Sequence, residues 1–271
     1  DTPINIQKAA IEAIDNGQTR YTAVDGTPAL KQAIIDKFKR QNNLDYTDTQ
    51  VMASSGGKQV FYNLCQAVLD KGDEVIIPSP YWVSYPDMVI LADATPIVVE
   101  TGLEQDFKIT PKQLEQSITD KTKLFIINSP SNPTGAVYSK DELQALADVL
   151  INHPKVLVIT DDIYEHIRWG NDDFINIVMA EPKLKDRTII LNGVSKGYAM
   201  TGWRIGYGAG PEAIIKAMKK IQGQSTSNPC SIAQAAALEA LNGDQSIIDT
   251  MVNAFEKRHE YIVNALNSID G

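Results

Sequence analysis

Lys123-Leu124-Phe125-Ile126-Ile127, the turn-rich Asn128-Ser129-Pro130-Ser131-Asn132-Pro133-Thr134-Gly135, an amphipathic stretch from Ser139 to Asn152, and then Val156-Leu157-Val158-Ile159: this succession decides the fold. Near-continuous apolar runs suit strands buried on both faces, and a helix-period segment between two of them marks a parallel crossover unit. Ser139 precedes Glu142 by three positions, the spacing of an N-terminal capping box. The alternation continues outward in both directions. Further apolar runs lie at Glu74-Val75-Ile76-Ile77, Pro96-Ile97-Val98-Val99, Thr188-Ile189-Ile190-Leu191 and Arg204-Ile205-Gly206-Tyr207, and helix-period stretches cover Gln59 to Lys71, Pro211 to Gln222 and Ser231 to Leu241. The pattern predicts an α/β fold in three α/β/α layers, with a mainly parallel central sheet and helices on both faces.

From about Gln245 to Leu266, apolar residues from Ile247 to Leu266 keep helical spacing. At about 1.5 Å per residue such a helix outruns one domain's thickness. Residues 1–243 are therefore expected to form one large domain, and 244–271 a long helix leading to a smaller C-terminal domain absent from this chain. Both ends look cut, since Asp1-Thr2-Pro3 lacks an initiator Met and Ile269-Asp270-Gly271 adds no closing element.

With 271 residues and 43% apolar content the chain can bury a large core. A net charge of -9 without a Lys/Arg cluster gives no footprint for nucleic acid or an anionic membrane. No apolar stretch reaches membrane-helix length, and no signal peptide opens the chain. Cys65 and Cys230 both fall in apolar helical patterns, which predicts reduced core residues in a cytoplasmic protein rather than a disulfide or metal site.

Four segments carry candidate chemistry. Ser54-Ser55-Gly56-Gly57-Lys58 follows Val51-Met52-Ala53 and opens a helix, a context that suits an anion. It fits neither the Walker A nor the dinucleotide spacing, and alone it is an ordinary strand-to-helix turn. Asn128 to Gly135 sits where α/β sheets bind ligands, beyond the carboxyl end of a strand, although a plain turn cluster has the same composition. Asp161-Asp162-Ile163-Tyr164 again follows a buried strand; a carboxylate there can meet a buried cation, while paired acids also form solvated turns or caps. Asn192-Gly193-Val194-Ser195-Lys196-Gly197-Tyr198-Ala199-Met200-Thr201-Gly202-Trp203-Arg204 sets a lysine among small and apolar residues, with an arginine eight positions later on the next strand. Such a setting is poor for a solvated ammonium, and a neutral amine is what carbonyl condensation requires.

In this order and spacing the four segments resemble the class I aminotransferases of fold type I, in particular the bacterial aspartate aminotransferase branch. Arg20-Tyr21-Thr22 and Pro78-Ser79-Pro80-Tyr81-Trp82-Val83-Ser84-Tyr85 extend the likeness over essentially the whole chain. The resemblance implies pyridoxal 5'-phosphate as cofactor. Lys196 matches the Schiff-base lysine and proton carrier, Asp161 the partner of the pyridine nitrogen, and Arg204 the phosphate-gripping arginine. Asn132 and Tyr164 match the donors to the phenolate oxygen, and Trp82, with Tyr81 as the alternative, matches the stacking ring. Gly56, Gly57 and Lys58 match the phosphate turn. In the bacterial branch Lys58 can instead reach a substrate's distal carboxylate, so substrate contacts fall to Trp82, Asn132 and Lys58. Tyr21 matches a tyrosine that crosses to a partner's cofactor phosphate, which implies a homodimer. Amino acids and 2-oxo acids are the implied substrates, with aspartate, aromatic amino acids and prephenate as candidates.

Two departures stand out. The family's phosphate-binding Ser, three positions before the lysine, is Gly193 here. The family's arginine for the substrate α-carboxylate falls beyond Gly271 and its N-terminal cover precedes Asp1, so this length of chain is expected to bind the cofactor but transaminate poorly. Rival expectations are another fold type I enzyme such as a β-lyase, a cofactor-sensing regulatory domain, and a nucleotide binder using Gly56 to Lys58.

Overall fold

The structure, a computed structural model, describes residues 1–170 and 173–269. Among them seven strands form one sheet in the order β1-β7-β6-β5-β4-β2-β3. They are β1 (Val51–Ser54), β2 (Glu74–Ser79), β3 (Thr95–Glu100), β4 (Thr122–Asn128), β5 (Leu157–Asp161), β6 (Thr188–Gly193) and β7 (Gly206–Ala209). Strands β3, β2, β4, β5 and β6 run parallel, and β7 and β1 pair antiparallel at the other edge.

Alternate side chains point to opposite faces, and here both faces are covered. Ile76, Phe125, Ile127, Val158 and Ile190 join a core with α2 (Pro28–Asn42), α6 (Lys140–Ile151) and α9 (Ser231–Asn242). Val75, Ile77, Leu124, Ile126, Ile159, Ile189 and Leu191 join a second core with α3 (Gly57–Val68), α4 (Ser84–Ile90) and α8 (Glu212–Ser225). The three-layer expectation from the apolar runs therefore holds. The Ser139 capping box is formed, with Ser139 Oγ accepting from the Glu142 amide.

Several details differ from the sequence pattern. The apolar piece at Val51 is itself a buried strand. Arg204 lies outside strand β7: it sits in the left-handed region at φ 57°, in the turn that ends a 3-10 helix over Thr201–Trp203. The helix expected to reach Lys71 stops at Val68, since Leu69 is already extended, and the chain then turns through Gly72 at φ 97°. Strand β3 is an edge strand with only part of its surface covered. Cys65 is buried, but Cys230 is exposed, since it precedes helix α9 instead of lying within it. The last helix, α10 (Ser246–Asn267), has 22 residues and buries Ile248 near its start, while Tyr261, Ile262 and Leu266 face solvent.

In register, Asn128 of β4 lies beside Asp161 of β5, which lies beside Leu191 of β6. The parallel strands thus deliver their last residues side by side at one edge of the sheet. Two residues further along β6, Gly193 lies beside Gly206, which lies beside Ser54. A β-carbon on Gly206 would stand 2.3 Å from the Gly57 nitrogen and 2.4 Å from the Gly56 carbonyl carbon. Backbone meets backbone there, so overpacking cannot relax through a rotamer change. Gly206→Ala is expected to lower stability by about 1–3 kcal/mol in urea unfolding. Gly202→Ala, with nothing within 4 Å, is the matched control and is expected to stay within about 0.5 kcal/mol of wild type.

Candidate active site

The strand ends floor a cleft of about 330 Å³ lined by Gly57, Lys58, Trp82, Tyr85, Asn128, Asn132, Asp161, Ile163, Tyr164, Leu191, Ser195, Lys196, Thr201 and Arg204. Residues from five separate sequence segments meet here.

Asp161 is 5% exposed. Its Oδ2 accepts the Tyr85 hydroxyl at 2.6 Å and its Oδ1 the Ile163 amide at 3.2 Å. Among the described residues no Lys, Arg or His nitrogen lies within 4.0 Å of the carboxylate. Burial pushes its pKa up to about 6, against the pull of Tyr85, the Ile163 amide and Lys196. Asp162 turns away: its oxygens accept Thr160 Oγ1 at 2.6 Å and Asn176 Nδ2 at 2.7 Å. Both acids are buried, so neither forms a solvated turn.

The amine of Lys196 stands 5.6 Å from the Tyr164 ring centre. Asn132 Nδ2 and the Tyr164 hydroxyl are 3.5 Å apart, so one acceptor atom placed between them could take a hydrogen bond from each. Asn128 braces this corner, donating to the Asp161 carbonyl at 2.8 Å and accepting from the Asn132 amide at 2.8 Å. Burial raises the Tyr164 hydroxyl's pKa, helped by Asp161, so the group stays a donor at neutral pH.

At the other end, the first amides of a helix lack intrahelical acceptors and attract anions, and Gly57 begins helix α3. Arg204 lies over this turn, donating to the Thr201 carbonyl at 3.0 Å and the Ser55 carbonyl at 3.4 Å. Gly56 has φ 87°, and a β-carbon on it would meet Arg204 Nη2 at 2.4 Å. The glycine is therefore needed twice, for its backbone conformation and for the guanidinium's approach. Lys58 places its ammonium 5.0 Å from the centre of the Trp82 ring, a cation–π contact.

The predicted site residues converge on the cleft, with Gly56 just behind its lining under Arg204, apart from Tyr21, which is 91% exposed and outside it. Trp82 lines the cleft, and Tyr81 does not. A β-carbon on Gly193 would stand 3.0 Å from both Gly206 Cα and the Ile205 oxygen, and the cleft's serine is Ser195. Tyr85 was given no role from sequence; its spacing of three from Trp82 in a helical turn was the available signal.

Asp161's folded pKa exceeds its ordinary value of 3.8, so between about pH 4 and pH 6 the folded state binds the extra proton. This group's contribution to stability then falls as pH rises through that window. Asp161→Asn in cofactor-free protein is expected to gain stability relative to wild type, on the order of 3 kcal/mol across the window. A pH-independent difference in urea unfolding would contradict the burial.

The family described as aminotransferase class I and II matches residues 1–271. The aspartate/prephenate aminotransferase of Nitrosomonas europaea is 60% identical over 100% of this chain and 68% of that protein, and that of Cereibacter sphaeroides 58% identical over the same shares. Among solved structures, the aspartate aminotransferase of Rhizobium meliloti matches with a TM-score of 0.98 at 48% identity, over 100% of this chain and 68% of that one. The Thermus thermophilus aspartate aminotransferase with maleate matches at 0.95 and 41% identity, over 99% and 70%.

Proposed function

This chain belongs to the class I and II aminotransferases, and from that premise we propose that it moves an amino group between an acidic L-amino acid, aspartate foremost, and a 2-oxo acid such as 2-oxoglutarate. Prephenate is a further oxo-acid partner, in keeping with the relatives' names. Membership implies dependence on pyridoxal phosphate, and the cleft fits that molecule on two observations. Asp161 is a buried carboxylate without a contacting cation, and the Gly56 turn under Arg204 is a space that any β-carbon would fill.

Lys196 would hold the cofactor through its amine, and Asp161 would face the ring nitrogen. Asn132 and Tyr164 would donate to the ring's phenolate oxygen, Trp82 would lie against the ring, and Gly56, Gly57 and Arg204 would hold the phosphate. When bound, pyridoxal phosphate supplies an aldehyde for the amine and a cationic ring that accepts electrons.

Once the substrate's own amine has displaced it, the freed Lys196 amine would take the proton from the substrate Cα and give it back on the far side of the transfer, one amine serving in turn as carrier and base. Asp161 would hold a proton on the ring nitrogen, because an ion pair there would relieve a carboxylate that burial otherwise penalises. Arg204 offers a planar fork that a lysine cannot reproduce. Lys58, exposed beside Trp82, would receive a distal carboxylate, in keeping with the acidic preference.

The same proposal takes residues 1–243 as the cofactor-binding unit, with 244–271 leading away from it to a smaller domain. Tyr21, almost wholly exposed, would reach the partner's site in a homodimer, and two unpaired cysteines suit the cytoplasm.

The carrying observation is the meeting of Lys196, Asp161 and Arg204 in one cleft. With pyridoxal phosphate bound, borohydride reduction and peptide mapping are expected to find the label on Lys196, and none in Lys196→Ala. Label on another side chain would overturn the assignment. In a single turnover with aspartate, oxaloacetate should form without free ammonia; ammonia release would identify a lyase instead.

A further inference from the structure

The Tyr164 and Lys196 segments are tied together behind the cleft. Glu165, directly after Tyr164, forms an ion pair with Lys37 of helix α2, and the two side chains are 4% and 0% exposed. Asn192, four residues before Lys196, donates from Nδ2 to Glu165 Oε1 at 2.8 Å. Asn42 donates to Glu165 Oε2 at 3.2 Å and accepts from Lys37 Nζ at 2.8 Å. On the far side of Lys196, a β-carbon on Gly197 would stand 2.8 Å from His166 Nδ1, so His166 packs against the residue after the amine. Glu165 and His166 thus grip the Lys196 segment both before and after the lysine. Burial raises the Glu165 pKa, but Lys37 and His166 outweigh it and the net shift is downward, so the carboxylate stays charged.

Lys37, Asn42, Glu165 and Asn192 do not line the cleft. Desolvation offsets much of the attraction in so buried a pair, so stability alone is a weak reason for it. We propose that the Lys37–Glu165 pair is a positioning device, fixing the Lys196 amine and the Tyr164 hydroxyl relative to each other so that both meet the cofactor in one geometry. The proposal rests on the assignment of Lys196 and Tyr164 given above.

Two variants test it in the full chain loaded with pyridoxal phosphate. Asn192→Leu cuts the tie to the lysine segment and leaves the ion pair in place. Lys37→Met with Glu165→Gln replaces the pair by neutral groups of similar size. The readouts are the visible circular dichroism per bound cofactor, the cofactor's dissociation constant, and the melting temperature of the cofactor-free protein. Both variants are expected to lose about half or more of the dichroism and to bind about tenfold more weakly, the effect of losing one charge-assisted hydrogen bond. If the double variant does not fold, Asn192→Leu decides alone. Lower melting temperatures with wild-type dichroism per bound cofactor would overturn the proposal, because a structural strut would give that result. Wild-type protein that borohydride fails to label on Lys196 would overturn the site assignment and this inference with it; normal wild-type labelling with unaltered variants would overturn the inference alone.

Discussion

Asp161 closes strand β5 with its carboxylate out of water, held by a phenol and an amide and touched by no cation among the described residues. Removing a carboxylate from water is unfavourable unless an opposite charge arrives, and that imbalance organises what lies around it. Tyr85 and the Ile163 amide fix the two oxygens, so the group has an orientation as well as a charge. Asn128 and Leu191 flank it in register. The parallel sheet puts all three at a carboxyl edge, where a ligand can enter without disturbing the strands. A flat cation-bearing ring laid over this floor would relieve the burial.

The opposite end of the cleft is a problem of close approach rather than charge burial. Gly56, Gly206 and Arg204 pack so that each of the two glycines lacks space for a β-carbon, and the guanidinium rests over a helix start. Two attractions for an anion coincide there, the helix start and the guanidinium. A ligand carrying a phosphate at one end and a protonated ring nitrogen at the other matches this polarity.

The alternation of apolar runs and helix-period segments made the layers legible, because parallel strands covered on both faces need unbroken apolar sequence. Asp161, Lys196 and Asn132 were legible because each follows a readable strand. Arg204 was legible as a residue but misplaced, since a left-handed turn leaves no mark in an apolar run. Val51 to Ser54 was too short to read as a strand. Tyr85 carried only its helical spacing from Trp82, and the Lys37–Glu165 tie was not legible at all. Their partners lie 76 and 128 positions away in the chain, and nothing local in sequence announces such a contact. Cys230 looked like core because its neighbours are apolar, yet a position just ahead of a helix need not share the helix's buried face.

The account's central claim is that Asp161 serves as counter-ion to a ring nitrogen. Nitrogen-15 NMR of ring-labelled pyridoxal phosphate bound to the protein tests it directly. A protonated nitrogen in wild type that becomes neutral in Asp161→Ala is the predicted result. A neutral nitrogen in wild type, or one equally protonated in both proteins, would contradict it.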